Sequence, residues 1–115
     1  MSNINIGRQG EDLACKYLEK IGYKILERNI HFSRYCELDI IALDKKNSLI
    51  AIEVKTRKTD ICGEPLEAIT TKKYKNIKLG LYSYLQKHPE YKNFRIDAIS
   101  IVLAPKLQIN HYKNI

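Results

Sequence analysis

The sequence predicts an α/β domain, a mixed β-sheet flanked by helices with elements in the order α-β-β-β-α-β. Three observations predict it. Apolar residues recur at helical spacing near the start of the chain and again past its middle, β-rich runs fill the stretches between and after them, and polar turns separate the runs. At 115 residues and 44% hydrophobic content the chain is sized for a single domain, residues 1–115, around one modest core.

The first helix is expected from Ile6 to Ile21, because Leu13, Ala14, Tyr17, Leu18 and Ile21 fall on one face. Asn5 is its expected N-cap and Gly22 its stop. Gly10 interrupts the apolar stripe, which lets the helix backbone approach a sheet closely, and Glu11 sits at the stripe's edge. Extended segments follow at Tyr23 to Asn29, Cys36 to Leu43 and Leu49 to Arg57, the last two joined as a hairpin through Asp44-Lys45-Lys46-Asn47-Ser48. A second helix runs from about Thr71 to Lys87, with Tyr74, Ile77, Leu81 and Leu85 on one face and Pro89 at the exit. Phe94 to Leu103 is an Ile-rich strand, and Leu107 to Tyr112 supplies a further edge strand after Pro105.

Composition narrows the function classes. Lys and Arg number 20 against 13 Asp and Glu, a net +7 with a pI near 9.3, which suits a polyanionic partner or plain solubility. Cys15, Cys36 and Cys62 are odd in number and form no Cys-x-x-Cys pair, so neither a disulfide framework nor a zinc ribbon is indicated. The N-terminus has no apolar signal core and no run is long enough to span a bilayer, so the expectation is a cytoplasmic protein with no membrane association. His31, His88 and His111 stand too far apart for a zinc site, and His111 is structural or of unknown role.

The chemistry lies in two strands. In Glu37-Leu38-Asp39-Ile40-Ile41-Ala42 two carboxylates share a strand face, and in Leu49-Ile50-Ala51-Ile52-Glu53-Val54-Lys55-Thr56-Arg57 the pair Glu53 and Lys55 interrupts a core-like run. Hairpin pairing brings Asp39 near Glu53, where two like charges call for a cation. Mg²⁺, or Mn²⁺ in its place, takes one or two carboxylates plus waters and substrate phosphate, which matches this supply. Asp39 and Glu53 are therefore the expected metal ligands, with Glu11 and Glu37 as outer or alternative ones. Lys55 is expected to orient the attacking water and stabilise developing negative charge in phosphodiester hydrolysis. Lys72, Lys73 and Lys75 at the start of the second helix, together with Arg57, are candidate phosphate contacts, although a lysine-rich helix face is also an ordinary solvated one.

The series Gly7-x-x-Gly10-Glu11-x-x-Ala14, Glu37-Leu38-Asp39-Ile40-Ile41-Ala42 and Glu53-Val54-Lys55-Thr56-Arg57 resembles the YraN-like family of small bacterial proteins, placed in the PD-(D/E)XK, restriction-endonuclease-like superfamily. The resemblance continues through Gly63-Glu64-Pro65-Leu66-Glu67-Ala68, Lys72, Arg95-Ile96-Asp97 and Asn110-His111. It implies a restriction-endonuclease-like fold and places the superfamily's metal-binding Asp at Asp39 and its Glu-x-Lys at Glu53 and Lys55. The helix-one carboxylate of resolvase-like members falls at Glu11. Cys36 stands where the family more often has Gly. The implied activity is a metal-dependent endonuclease acting on DNA, with a homodimer as one arrangement for cutting both strands. The competing expectation is a non-catalytic module on the same scaffold that binds nucleic acid or a protein partner.

Gly7 and Gly10 do not form a phosphate loop, since no strand precedes them and no Lys-Ser/Thr follows, and close helix packing is the expected reason for both. Tyr82, Tyr84 and Tyr91 could stack on bases or belong to the core.

Overall fold

The computed structural model describes residues 3–34, 36–59 and 69–115. Helix α1 (Asn3–Lys20) leads into strands β1 (Lys24–Ser33), β2 (Cys36–Leu43) and β3 (Leu49–Thr59), then helix α2 (Thr71–Lys87) and strands β4 (Phe94–Ala104) and β5 (Gln108–Tyr112). The strands form one mixed sheet in sequence order, β1-β2-β3-β4-β5. Among the described residues only β3 and β4 run parallel, joined by the crossover that contains α2, and the other neighbouring pairs are antiparallel. This is the α/β architecture expected from the sequence, with the further edge strand present as β5. Cys62 and the family motif at residues 63–68 lie outside the described residues.

Both faces of the sheet are covered, which is why β3 and β4 carry long buried runs rather than a strict alternation. On one face Ala14, Cys15 and Leu18 of α1 pack against Ile40, Ala42, Ile50, Ile52, Ile99 and Ile101. On the other, Ile77, Leu81 and Tyr84 of α2 pack against Leu38, Ile41, Leu49, Ala51 and Ile96. On β3 and β4 the helices divide the side chains by the two-residue period, whereas on β2 Leu38 breaks it by joining Ile41 on the α2 face.

Gly10 makes the close approach of α1 possible: a Cβ there would run into the side chain of Thr56 on β3. At Gly7 a Cβ meets nothing within 4 Å, so close packing accounts for Gly10 and not for Gly7. Helix α1 starts at Asn3, which puts Asn5 inside the first turn rather than at the cap. From Ile6 to Gln9 the described side chains are half-buried or exposed, and burial along the apolar stripe is first reached at Gly10, so the pattern does not mark where the helix starts. Gly22 ends it with φ at +95°, its amide bonded to the Glu19 carbonyl at 3.1 Å.

The tyrosines divide by burial. Tyr84 is core and stacks on His88 with ring centroids 4.2 Å apart, and Tyr91 packs against the same cluster. Tyr82 is exposed and meets Phe94 edge-on at 5.8 Å.

Candidate active site

The β2–β3 ladder stops at the pair Ile40 and Ile52. One residue earlier on β2, Asp39 Oδ2 accepts a hydrogen bond from the Val54 amide at 2.9 Å, so a side chain takes over where the backbone pairing ends. β3 runs on in register with β4, Glu53 opposite Ala98 and Lys55 opposite Ser100. Alternation puts Glu53 and Lys55 on the face that carries Leu49 and Ala51, the face covered by α2.

The N-terminus of α2 closes the site from above. Thr70 caps the helix, its hydroxyl accepting from the Lys73 amide at 3.1 Å. That cap fixes the helix phase so that Lys73, Asn76 and Ile77 face the carboxylates. Glu37, Asp39, Glu53, Thr70, Lys72, Lys73, Asn76 and Ile77 line a cleft of about 340 Å³.

Charge in the cleft is arranged around one oxygen. Glu53 is only 4% exposed, and its Oε1 lies 2.6 Å from Lys73 Nζ and 3.6 Å from Lys55 Nζ. Asp39 is pushed up to about 8 by burial, then by the charge of Glu53 and a hydrogen bond with it, while the Val54 amide pulls the other way. The Lys55 ammonium is lowered by burial and by the neighbouring Lys73. Burial works against the Lys73 ammonium too, but its bond to Glu53 wins and raises it.

Asp39 and Glu53 are therefore brought together with Lys55 as the strand pattern indicates. Glu37 also lines the cleft, exposed, with its carboxylate 3.8 Å from His31 Nε2. Glu11, on α1 and 3.7 Å from Arg28, does not line the cleft, but its charge adds to the upward push on Asp39. Lys72 lines the cleft wall, exposed, and Lys75 is exposed away from it. Arg57 continues the Glu53, Lys55 alternation along β3, half-buried. The placement of Lys73 was not legible in the sequence, which groups it with its lysine neighbours. Thr70 and Asn76 were missed as well, although a Thr-Thr pair before a helical pattern is a recognisable cap signal.

The position where the family more often has Gly carries a buried side chain, beside an irregularity in the β1–β2 pairing. Cys36 is buried under α2, its thiol donating to the Asn76 carbonyl at 2.8 Å, and Gly80 leaves it room, since a Cβ there would sit 3.1 Å from the sulfur.

A second polar cluster, on the α1 face, has a structural role. Asp97, fully buried, accepts from Arg95 Nε at 2.9 Å, His111 Nε2 at 2.8 Å and the Asn114 amide at 2.9 Å. Arg95 also reaches Asp44 and Tyr23, each at 2.9 Å, and the far nitrogen of His111 meets the Tyr17 hydroxyl at 3.0 Å. This network joins α1, the β2–β3 turn, β4, β5 and the residues after β5, and it identifies His111 as a structural residue.

As a donor set, the cleft offers two adjacent carboxylates, and burial together with the charge of Glu53 pushes Asp39 up to about 8. Among the described residues no group of three or more His, Cys, Asp or Glu side chains is placed to hold a metal ion. A closed four-ligand zinc site is thus not what these residues could build, whereas a hard divalent cation that keeps several waters needs no more than Asp39 and Glu53.

Fold and site together define a class: a small mixed α/β domain with a paired-carboxylate cleft beneath a basic helix N-terminus. The model described as "Uncharacterised protein family UPF0102" matches residues 10–101, and the chain belongs to that family. It is 42% identical over 114 residues to a UPF0102 protein of Syntrophomonas wolfei, covering 97% of each chain. A UPF0102 protein of Chlorobium chlorochromatii is 42% identical over 100 residues, 87% of this chain and 76% of that one. One from Dictyoglomus turgidum is 38% identical over 114 residues, 98% of this chain and 95% of that one. Among the described residues no helix is long and apolar enough to cross a membrane.

Proposed function

We propose that this chain is a Mg²⁺-dependent endonuclease that hydrolyses phosphodiester bonds of DNA on a PD-(D/E)XK scaffold, in the manner of resolvase-like members. The observation that carries this reading is that Asp39 and Glu53 meet in one cleft, from two strands whose ladder has just ended, with the Lys55 ammonium 3.6 Å from Glu53. Asp39 and Glu53 would hold the cation. When bound, Mg²⁺ supplies a more acidic water and neutralises charge on the phosphate.

The chain's own residues do the rest. Lys55 Nζ, kept beside Glu53 by the strand, points its N–H groups at the attacked phosphate and stabilises charge there as it builds. Lys72 on the cleft wall, with Arg57 and Lys75 further out, hold the neighbouring backbone phosphates, and the net charge of +7 speeds the approach of a polyanion. Burial and the charge of Glu53 favour the protonated Asp39 carboxyl in the metal-free cleft, which limits the repulsion between the two carboxylates.

Incubating the protein with branched, single-stranded and duplex DNA plus Mg²⁺ or Mn²⁺ tests the proposal. Cleavage lost in both Asp39→Asn and Lys55→Ala supports it, and cleavage that survives both changes removes this site from the reaction. Binding that falls steeply with salt, with no cleavage under any metal, would favour the non-catalytic nucleic-acid-binding module instead.

A further inference from the structure

Lys73 is the cation nearest the buried carboxylate. Its ammonium lies 2.6 Å from Glu53 Oε1, a full ångström closer than Lys55, and the Glu53 side chain has just 4% of its surface exposed. Lys73 thus sits on a Glu53 oxygen for which a metal ion bound there would compete. The two lysines differ in freedom. Lys55 extends from the middle of β3, paired to β4, whereas Lys73 stands on the first turn of α2 at the cleft, 38% exposed, on a flexible four-carbon stem.

We propose that Lys73 is a movable counter-ion: it neutralises Glu53 in the nucleic-acid-free protein, and when a divalent cation takes Glu53 it swings to the cleft mouth and binds a backbone phosphate. This rests on the reading of Asp39 and Glu53 as a metal site.

The consequence is thermodynamic. An incoming cation must displace a charge-assisted ion pair and leave an ammonium beside a dication, unless an anion is there to receive it. A phosphate in the cleft receives it. Cation and nucleic acid therefore favour each other's binding, and the coupling must be the same in both directions. Lys72 lines the same cleft without an ion pair to Glu53, so its phosphate contact is independent of the metal. The device would keep the free protein poorly loaded with metal and load it on its substrate.

Mn²⁺ affinity is measured by calorimetry on the nucleic-acid-free full chain, for wild type, Lys73→Met, Lys73→Gln and Lys73→Arg, with thermal unfolding to establish that each variant is folded. Both neutral variants are expected to bind Mn²⁺ about tenfold more tightly, the equivalent of ~1.4 kcal/mol, and Lys73→Arg no more tightly than wild type. A phosphorothioate-backbone duplex supplies the second readout. Mn²⁺ should raise the wild-type affinity for this duplex and leave that of Lys73→Met and Lys73→Gln nearly unchanged, while Lys72→Met weakens duplex binding equally with and without metal. Unchanged or weaker Mn²⁺ binding in the folded neutral variants would overturn the counter-ion role while leaving the metal site standing. Absence of Mn²⁺ binding in every protein, wild type included, would overturn the metal-site reading and this inference with it.

Discussion

Asp39 and Val54 are joined by a hydrogen bond of 2.9 Å from the Val54 amide to Asp39 Oδ2, immediately past the last backbone pair of the β2–β3 ladder. The bond holds the Asp39 carboxyl next to Glu53, because turning it away would leave a strand amide without its acceptor. A local gap in the ladder is thus what brings the two acids together.

That proximity has a pH signature. Burial and the charge of Glu53 push Asp39 up to about 8, whereas in the unfolded chain it titrates near ~3.9. Between those values the folded protein keeps a proton that the unfolded chain has lost, so this group's contribution to stability falls as pH rises from about 4 to about 8. Asp39→Asn keeps an acceptor for the Val54 amide and removes the titration. In metal-free buffer at about pH 8 the variant should be the more stable by at least about 1 kcal/mol, with a flatter stability–pH curve. Denaturant unfolding across that range checks it, and a curve parallel to wild type would contradict it.

Asp97 behaves in the opposite sense. Burial alone would raise it, but the hydrogen bonds from His111, Arg95 and the Asn114 amide hold the carboxyl below its ordinary value. Its contribution is therefore complete above the unfolded value near ~3.9 and is lost as pH falls through the depressed folded value. Asp97→Asn leaves Arg95 facing a neutral amide, and breaking a buried pair of this kind costs about 3–5 kcal/mol. Urea unfolding at neutral pH should show that loss, with a shallower acid limb than wild type.

Contact between α1 and the sheet is limited by one atom. A methyl at Gly10 would overlap Thr56, so Gly10→Ala should destabilise by about 1–3 kcal/mol, although alanine is the better helix former. Adding Thr56→Ala should recover part of the loss, and a double-mutant cycle showing strictly additive effects would contradict the contact.

Much of this was legible in the residues. The limits of β2 and α2 follow from alternation and helical spacing, and the Asp39, Glu53 and Lys55 constellation follows from a hairpin joining two strands whose charged residues share a face. The remainder depended on how elements meet. Which lysine of α2 enters the cleft is set by the Thr70 cap and by the packing of Ile77 and Leu81 on β2 and β3, so Lys73 looked like its neighbours. Glu11 fits the motif order and its charge reaches Asp39, but its ion pair with Arg28 has no local signal in the sequence. The Asp97–His111 pair joins β4 to an edge strand, and neither residue has a local pattern that points to the other.

The central claim, that Asp39 and Glu53 together hold a divalent cation, is tested most directly by a crystal structure of the protein soaked in Mn²⁺, using anomalous scattering to locate the metal. The account predicts a peak between the two carboxylates, with a carboxylate oxygen of each in direct coordination, and Lys73 Nζ moved off Glu53. A fully soaked crystal with no peak in the cleft, and Lys73 still seated on Glu53, would contradict it.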